Sequence, residues 1–80
     1  MPLLTSRAQK DLNALPEAMR KKVRAVMERL DADPSLGWKL KGKLEGTRSV
    51  NVGRSHRILF SITEQGPVVK TIRPRRDAYR

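Results

Sequence analysis

Eighty residues leave room for one small domain around a single modest core, and the absence of cysteine excludes a disulfide framework or a thiolate metal site. Eighteen Lys and Arg against eight Asp and Glu give a formal charge of +10, an excess that points to a polyanionic partner such as nucleic acid, a membrane surface or an acidic protein. Residues 1–38 hold seven basic and five acidic side chains, net +2, and residues 39–80 hold eleven and three, net +8, so the charge sits on the second half.

No apolar run approaches the roughly 18 residues of a membrane span, and the opening "MPLLTSRAQKDL" lacks the apolar core of a secretory signal. A soluble, cytoplasmic protein without membrane contact is expected. In "TSRAQKDLNAL", Ser6 followed by Gln9 reads as a capping box, with Ala8, Leu12 and Leu15 on one face of a first helix. Pro16 suits the first turn of a second helix, along which Met19, Val23, Val26, Met27 and Leu30 recur at spacings of three and four. Asp33-Pro34 should end it, because the proline ring disfavours helical geometry at the preceding residue. A helical hairpin over about residues 6–33 is predicted.

"SLGWKLKGKLEG" has no clean period and reads as a loop with a short extended piece around Lys39 to Lys41. Trp38 is expected to anchor this loop against the core. The period then changes to two. "TRSVNV" places Arg48, Val50 and Val52 on one face. "HRILFSIT" places His56, Ile58, Phe60 and Ile62 on one face and Arg57, Leu59 and Ser61 on the other. "GRS" and "EQGP" are turns and "VVKTIR" is a third strand, giving a β-meander over about residues 46–73 and a short C-terminal segment, 74–80. The predicted fold is a single α+β domain, 1–80, with the helical hairpin packed on one face of a small antiparallel sheet. The apolar set of "HRILFSIT" belongs against the helices, with His56 in a core slot, which turns Arg57 to the open face.

Standard catalytic sets are missing. One histidine and no cysteine leave no multi-histidine or zinc site, and no metal or cofactor is expected. Glu45, Glu64 and Asp77 are the only acids after residue 38, too few and too scattered for a two-metal nuclease. "GWKLKGKLEG" matches no nucleotide fingerprint. What remains is arginine, lysine and one tyrosine. Arginine offers a permanently charged fork of donors suited to a phosphate and to the charge that builds on it during in-line attack. A metal-free ribonuclease using the 2′-OH of RNA as nucleophile could be built from these parts, and so could a module that grips RNA or an acidic protein and cuts nothing. "IRPRRDAYR" is either a solvated basic tail or one wall of an active site.

The run "KLKGKLEGTRSVNVGRSHRILFSI", followed by "VVKTIRPRRDAYR", resembles the RelE/ParE toxin superfamily of type II toxin–antitoxin modules. "SRAQKDLNALP" is similar to that family's opening, and the family's first strand falls on the short "PLLT". The resemblance implies a helical hairpin on a twisted antiparallel sheet. Its RelE-like branch implies a ribosome-dependent mRNA endonuclease that inhibits translation by cutting in the A site, leaving a 2′,3′-cyclic phosphate and a 5′-OH. On this resemblance Arg57 matches the strand arginine that stabilises the scissile phosphate. Arg75, or Arg76, matches the C-terminal arginine near the leaving group, and Tyr79 the tyrosine that stacks on the mRNA. Arg48 falls where a basic residue often acts on the nucleophile, and Lys41, Lys43, Arg54, Arg73 and Arg76 are expected to hold the RNA backbone. The implied partners are a cognate antitoxin with an acidic segment, the ribosome and mRNA, with operator DNA reached through the antitoxin. The alternative within the superfamily is a ParE-like inhibitor of DNA gyrase.

Overall fold

The computed structural model describes residues 3–33, 36–39 and 46–74. In chain order the elements are β1 (Leu3–Leu4), α1 (Ser6–Ala14), α2 (Glu17–Ala32), β2 (Trp38–Lys39), β3 (Arg48–Val52), β4 (His56–Thr63) and β5 (Gly66–Pro74). They form two helices and one five-stranded sheet of order β1-β5-β4-β3-β2. The α+β architecture is the one the periodicity predicts, and β3, β4 and β5 are the expected antiparallel meander. Each edge carries one further strand of two residues. β2 joins antiparallel to β3, whereas β1 joins parallel to β5, so the sheet is mixed rather than purely antiparallel.

The first helix is capped by Thr5, not by Ser6. Thr5 has extended backbone (φ −71°, ψ 164°), and its hydroxyl accepts from the Ala8 N–H at 3.1 Å. Strand pairing decides between the two hydroxyls: the Thr5 N–H donates to the Val69 carbonyl at 3.0 Å, which holds residue 5 extended and leaves Ser6 as the first helical residue. The Thr5 hydroxyl also donates to the Lys70 carbonyl at 2.7 Å. Gln9, freed from a capping box, bonds to Asn13 at 3.0 Å. Pro16 stands at the cap of α2, just outside the first turn, with φ −58°. Helix α2 ends at Ala32 with Asp33 as its C-cap, as the Asp-Pro pair dictates.

Between the helices and the sheet lies one core: Ala8, Leu12, Val23, Met27, Leu30, Val52, Ile58, Phe60, Val69 and Ile72. Burying each of the larger side chains contributes about 1.5–3 kcal/mol. Leu36, not Trp38, anchors the α2–β2 connection on this core. Gly37 then lets the chain lie against β3: its φ is +81°, and a Cβ there would stand 2.2 Å from the Ser49 carbonyl oxygen. Helix α1 is tied to β5 by Asp11, whose carboxylate accepts from the Thr71 hydroxyl at 2.6 Å and from the Ile72 N–H at 3.1 Å.

Candidate anion-binding face

Strand β4 alternates as its sequence requires. Ile58 and Phe60 enter the core, and Arg57 lies on the face turned away from the helices. That face is not bare at Arg57. The residue is only 9% exposed, and its guanidinium carbon stands 5.0 Å from the centroid of the Trp38 ring. Trp38, on the edge strand, pairs with Ser49, which is fully buried and small enough for the indole to reach diagonally to the Arg57 row. This is where Trp38 goes instead of into the core.

Across β3, β4 and β5 that row reads Asn51, Arg57, Arg73. The Arg57–Arg73 pairing depends on a bulge. From the β4–β5 turn, Thr63 pairs with Gly66 and the ladder runs regularly to Phe60 and Val69; the next pair is Leu59 with Thr71, leaving Lys70 as an extra residue. A regular ladder would set Ile72 opposite Arg57. With the bulge, two arginines face each other on one side of the sheet. The Nε of Arg73 is buried without a hydrogen-bond partner among the described residues. The Arg57 guanidinium reaches over Trp38, and two arginines at opposed positions make this face strongly positive, which suits an oxyanion able to take charge-assisted hydrogen bonds. The arrangement therefore favours a phosphate or carboxylate ligand.

The other predicted residues divide. Arg54 lies exposed in the β3–β4 turn, at the end of the sheet where Val52, His56 and Pro74 are paired neighbours, and so near the Arg57–Arg73 row. Arg48 pairs with Phe60 and Lys39, in the row on the helix side, and its Nη2 donates to the Gly37 carbonyl at 3.5 Å. The fold does not bring it to Arg57. His56 is half-buried with its Nδ1 2.8 Å from the Ser55 hydroxyl. Lys41, Lys43, Arg75, Arg76 and Tyr79 lie outside the described residues.

Three features were not read from the sequence. Trp38 belongs to the outer face beside Arg57, a placement set by a two-residue strand too short to carry a period. Lys70 occupies the bulge, and its ammonium donates to the Thr47 hydroxyl at 3.0 Å. Arg73 also borders a cleft of about 300 Å³ lined by Arg7, Asp11, Ile72, Arg73 and Pro74, in which Arg7 pairs with Asp11 at 3.3 Å. Among the described residues no three His, Cys, Asp or Glu side chains gather as a metal site, and no helix is long and apolar enough to cross a membrane.

Solved structures share this fold. The toxin–antitoxin complex RelBE2 from Mycobacterium tuberculosis contains a chain 27% identical, with a TM-score of 0.79 over 94% of this chain and 100% of that one. The YoeB/ParE toxin from Agrobacterium tumefaciens is 20% identical, with a TM-score of 0.78 over 92% of this chain and 98% of its own. The isolated RelE toxin of E. coli is 15% identical, with a TM-score of 0.77 over 99% and 89%. No curated protein matches. The sequence profile described as "ParE toxin of type II toxin-antitoxin system, parDE" matches residues 3–79. A profile that runs from the first strand into the C-terminal segment shows that this chain belongs to the ParE toxin family of type II toxin–antitoxin systems.

Proposed function

We propose that this toxin is a metal-independent, ribosome-dependent mRNA endonuclease acting in the cytoplasm. The observation that carries the reading is the cross-strand pair Arg57–Arg73. In the reaction the 2′-oxygen of the RNA attacks the adjacent phosphorus, the P–O5′ bond breaks, the 2′-OH proton is lost, and the departing 5′-oxygen gains one. Arg57 and Arg73 supply positive charge to the phosphoryl oxygens as negative charge grows on them. The resemblance adds Arg75 or Arg76 near the leaving group and Tyr79 as the residue that stacks on the message. Arg54, Lys41 and Lys43 hold the backbone through sequence-independent charge. A cognate antitoxin silences the toxin by laying an acidic segment over the arginine face, and operator DNA is reached only through that antitoxin. The RelBE2 structure, a toxin–antitoxin complex, supports such a partner.

A specific observation favours a second reading. The matching family profile is that of ParE toxins, which supports poisoning of DNA gyrase without nuclease chemistry. Primer extension on a defined mRNA in programmed ribosomes separates the two. Cuts at the A-site codon that require the ribosome, and that fall on the order of 10²–10³-fold with Arg57→Ala, are the expected result. Intact mRNA together with accumulating cleaved DNA in a gyrase assay would transfer the protein to the second reading.

A further inference from the structure

We infer that Asp11 is a positioning residue for Arg73: its carboxylate locks β5 in the bulged register that sets Arg73 opposite Arg57. The inference rests on the reading that Arg73 meets a phosphate, and it names what holds that arginine in place. Strand β1 pairs with β5 only at Val68 and Val69, and the Thr5 N–H closes this stretch on the Val69 carbonyl. Farther along β5, Asp11 takes over the edge. Its Oδ2 accepts from the Thr71 hydroxyl at 2.6 Å and from the Ile72 N–H at 3.1 Å, while its Oδ1 accepts from Arg7 at 3.3 Å.

Ala8 and Leu12, three residues before Asp11 and one after it, are buried in the core, so the carboxylate stands at a fixed height along β5. Between Val68 and Pro74 the only hydroxyl is that of Thr71. A slip of one residue would bring Lys70 or Ile72 to the carboxylate in its place, and that bond would be lost. The bulge at Lys70 and the Asp11 contact therefore select the same register. Arg73 follows directly on the anchored Ile72 amide, and its Nε is buried without a hydrogen-bond partner among the described residues. The anchored backbone, not a bond at Nε, sets where it stands.

Charge alone predicts the opposite sign for Asp11. Removing a carboxylate makes a chain of formal charge +10 more positive, which should tighten its hold on a polyanion. Loss of a positioning residue should weaken it. The full-length toxin is titrated with a dye-labelled single-stranded oligodeoxynucleotide over a range of salt, following anisotropy, at a temperature where circular dichroism shows every variant folded. Arg73→Gln should weaken binding and lower the log–log salt slope by about 0.7, the share of one phosphate on a single strand. Asp11→Ala should do the same, and adding it to Arg73→Gln should weaken binding no further. Asp11→Asn, whose amide oxygen can still accept from both β5 donors, should keep the parent slope. Thr71→Val, which removes one anchor without changing the charge, should lower it.

Tighter binding by Asp11→Ala, or a loss that adds in full to that of Arg73→Gln, would overturn the positioning role. Should Asp11→Ala not fold, an unchanged slope in Thr71→Val overturns it instead. The reading beneath it fails separately. Arg73→Gln with unaltered affinity and slope removes the phosphate at Arg73 and the inference with it, whereas a weakened Arg73→Gln beside an unweakened Asp11→Ala removes only the inference.

Discussion

Arg57 and Arg73 face each other across β4 and β5 because Lys70 is one residue too many for a regular ladder. Like charges at directly opposed strand positions are unfavourable, although here the Arg57 guanidinium itself lies over Trp38. Arg73→Gln keeps most of the stem and removes the charge, so it should leave the fold unharmed or stabilise it by about 0.2–1 kcal/mol. Urea unfolding measures that gain, and the same variant should bind a polyanion more weakly. A variant that loses stability and keeps its affinity would mean that Arg73 is structural.

Asp11 gathers three donors: the Thr71 hydroxyl, the Ile72 N–H and the Arg7 guanidinium. Asp11→Ala leaves the Ile72 amide, on a buried residue, without its acceptor, at a cost of about 1–3 kcal/mol. In a double-mutant cycle with Thr71→Val the coupling should be at least 0.5 kcal/mol. Additive effects would show that the hydroxyl contact contributes nothing.

Thr5 and Ser6 make opposite predictions for adjacent hydroxyls. Thr5→Ala loses both the cap on Ala8 and the bond to the Lys70 carbonyl and should cost about 1–2 kcal/mol. Ser6→Ala, an exposed first helical position, should stay within about 0.5 kcal/mol of the parent. Chemical denaturation of the two single variants is sufficient, and the reverse order would restore Ser6 as the cap.

Gly37 and Gly53 both have positive φ, +81° and +59°, but only Gly37 is crowded. Gly53→Ala meets open space and should cost only the left-handed penalty, about 1–2 kcal/mol. Gly37→Ala adds a clash with the Ser49 carbonyl, so it should cost more and displace β2, shifting the emission of Trp38. Equal melting temperatures for the two would remove the close approach as a determinant.

The parts of the fold that were legible in the sequence are those with a period. Val23, Met27 and Leu30 gave α2, and the alternation from His56 to Ile62 gave β4 and the face of Arg57. Leu3–Leu4 was expected only through the resemblance, and the extended piece expected around Lys39 to Lys41 is described as Trp38–Lys39; two residues have no period, so their pairing, which comes from β5 and β3, was not legible. At the site, Arg57 could be assigned a face but not its burial beneath Trp38. Arg73 could be counted among the cations but not set opposite Arg57, since parity along β5 changes at Lys70 and nothing in "VVKTIR" marks the bulge. Arg48 shares a face with Val50 and Val52, as the alternation of "TRSVNV" has it, and the register sets that face on the side of Ile58 and Phe60, away from Arg57.

The position of β5 between β1 and β4 also sets when the toxin can exist. Thr5 and Lys70, 65 positions apart, must meet to complete the sheet, and such distant contacts form only after a long loop has closed. On a growing chain β5 is made after the other four described strands, so the sheet stays incomplete until residues 66–74 have been synthesised. The arginine row, half on β4 and half on β5, has no precursor on the nascent chain.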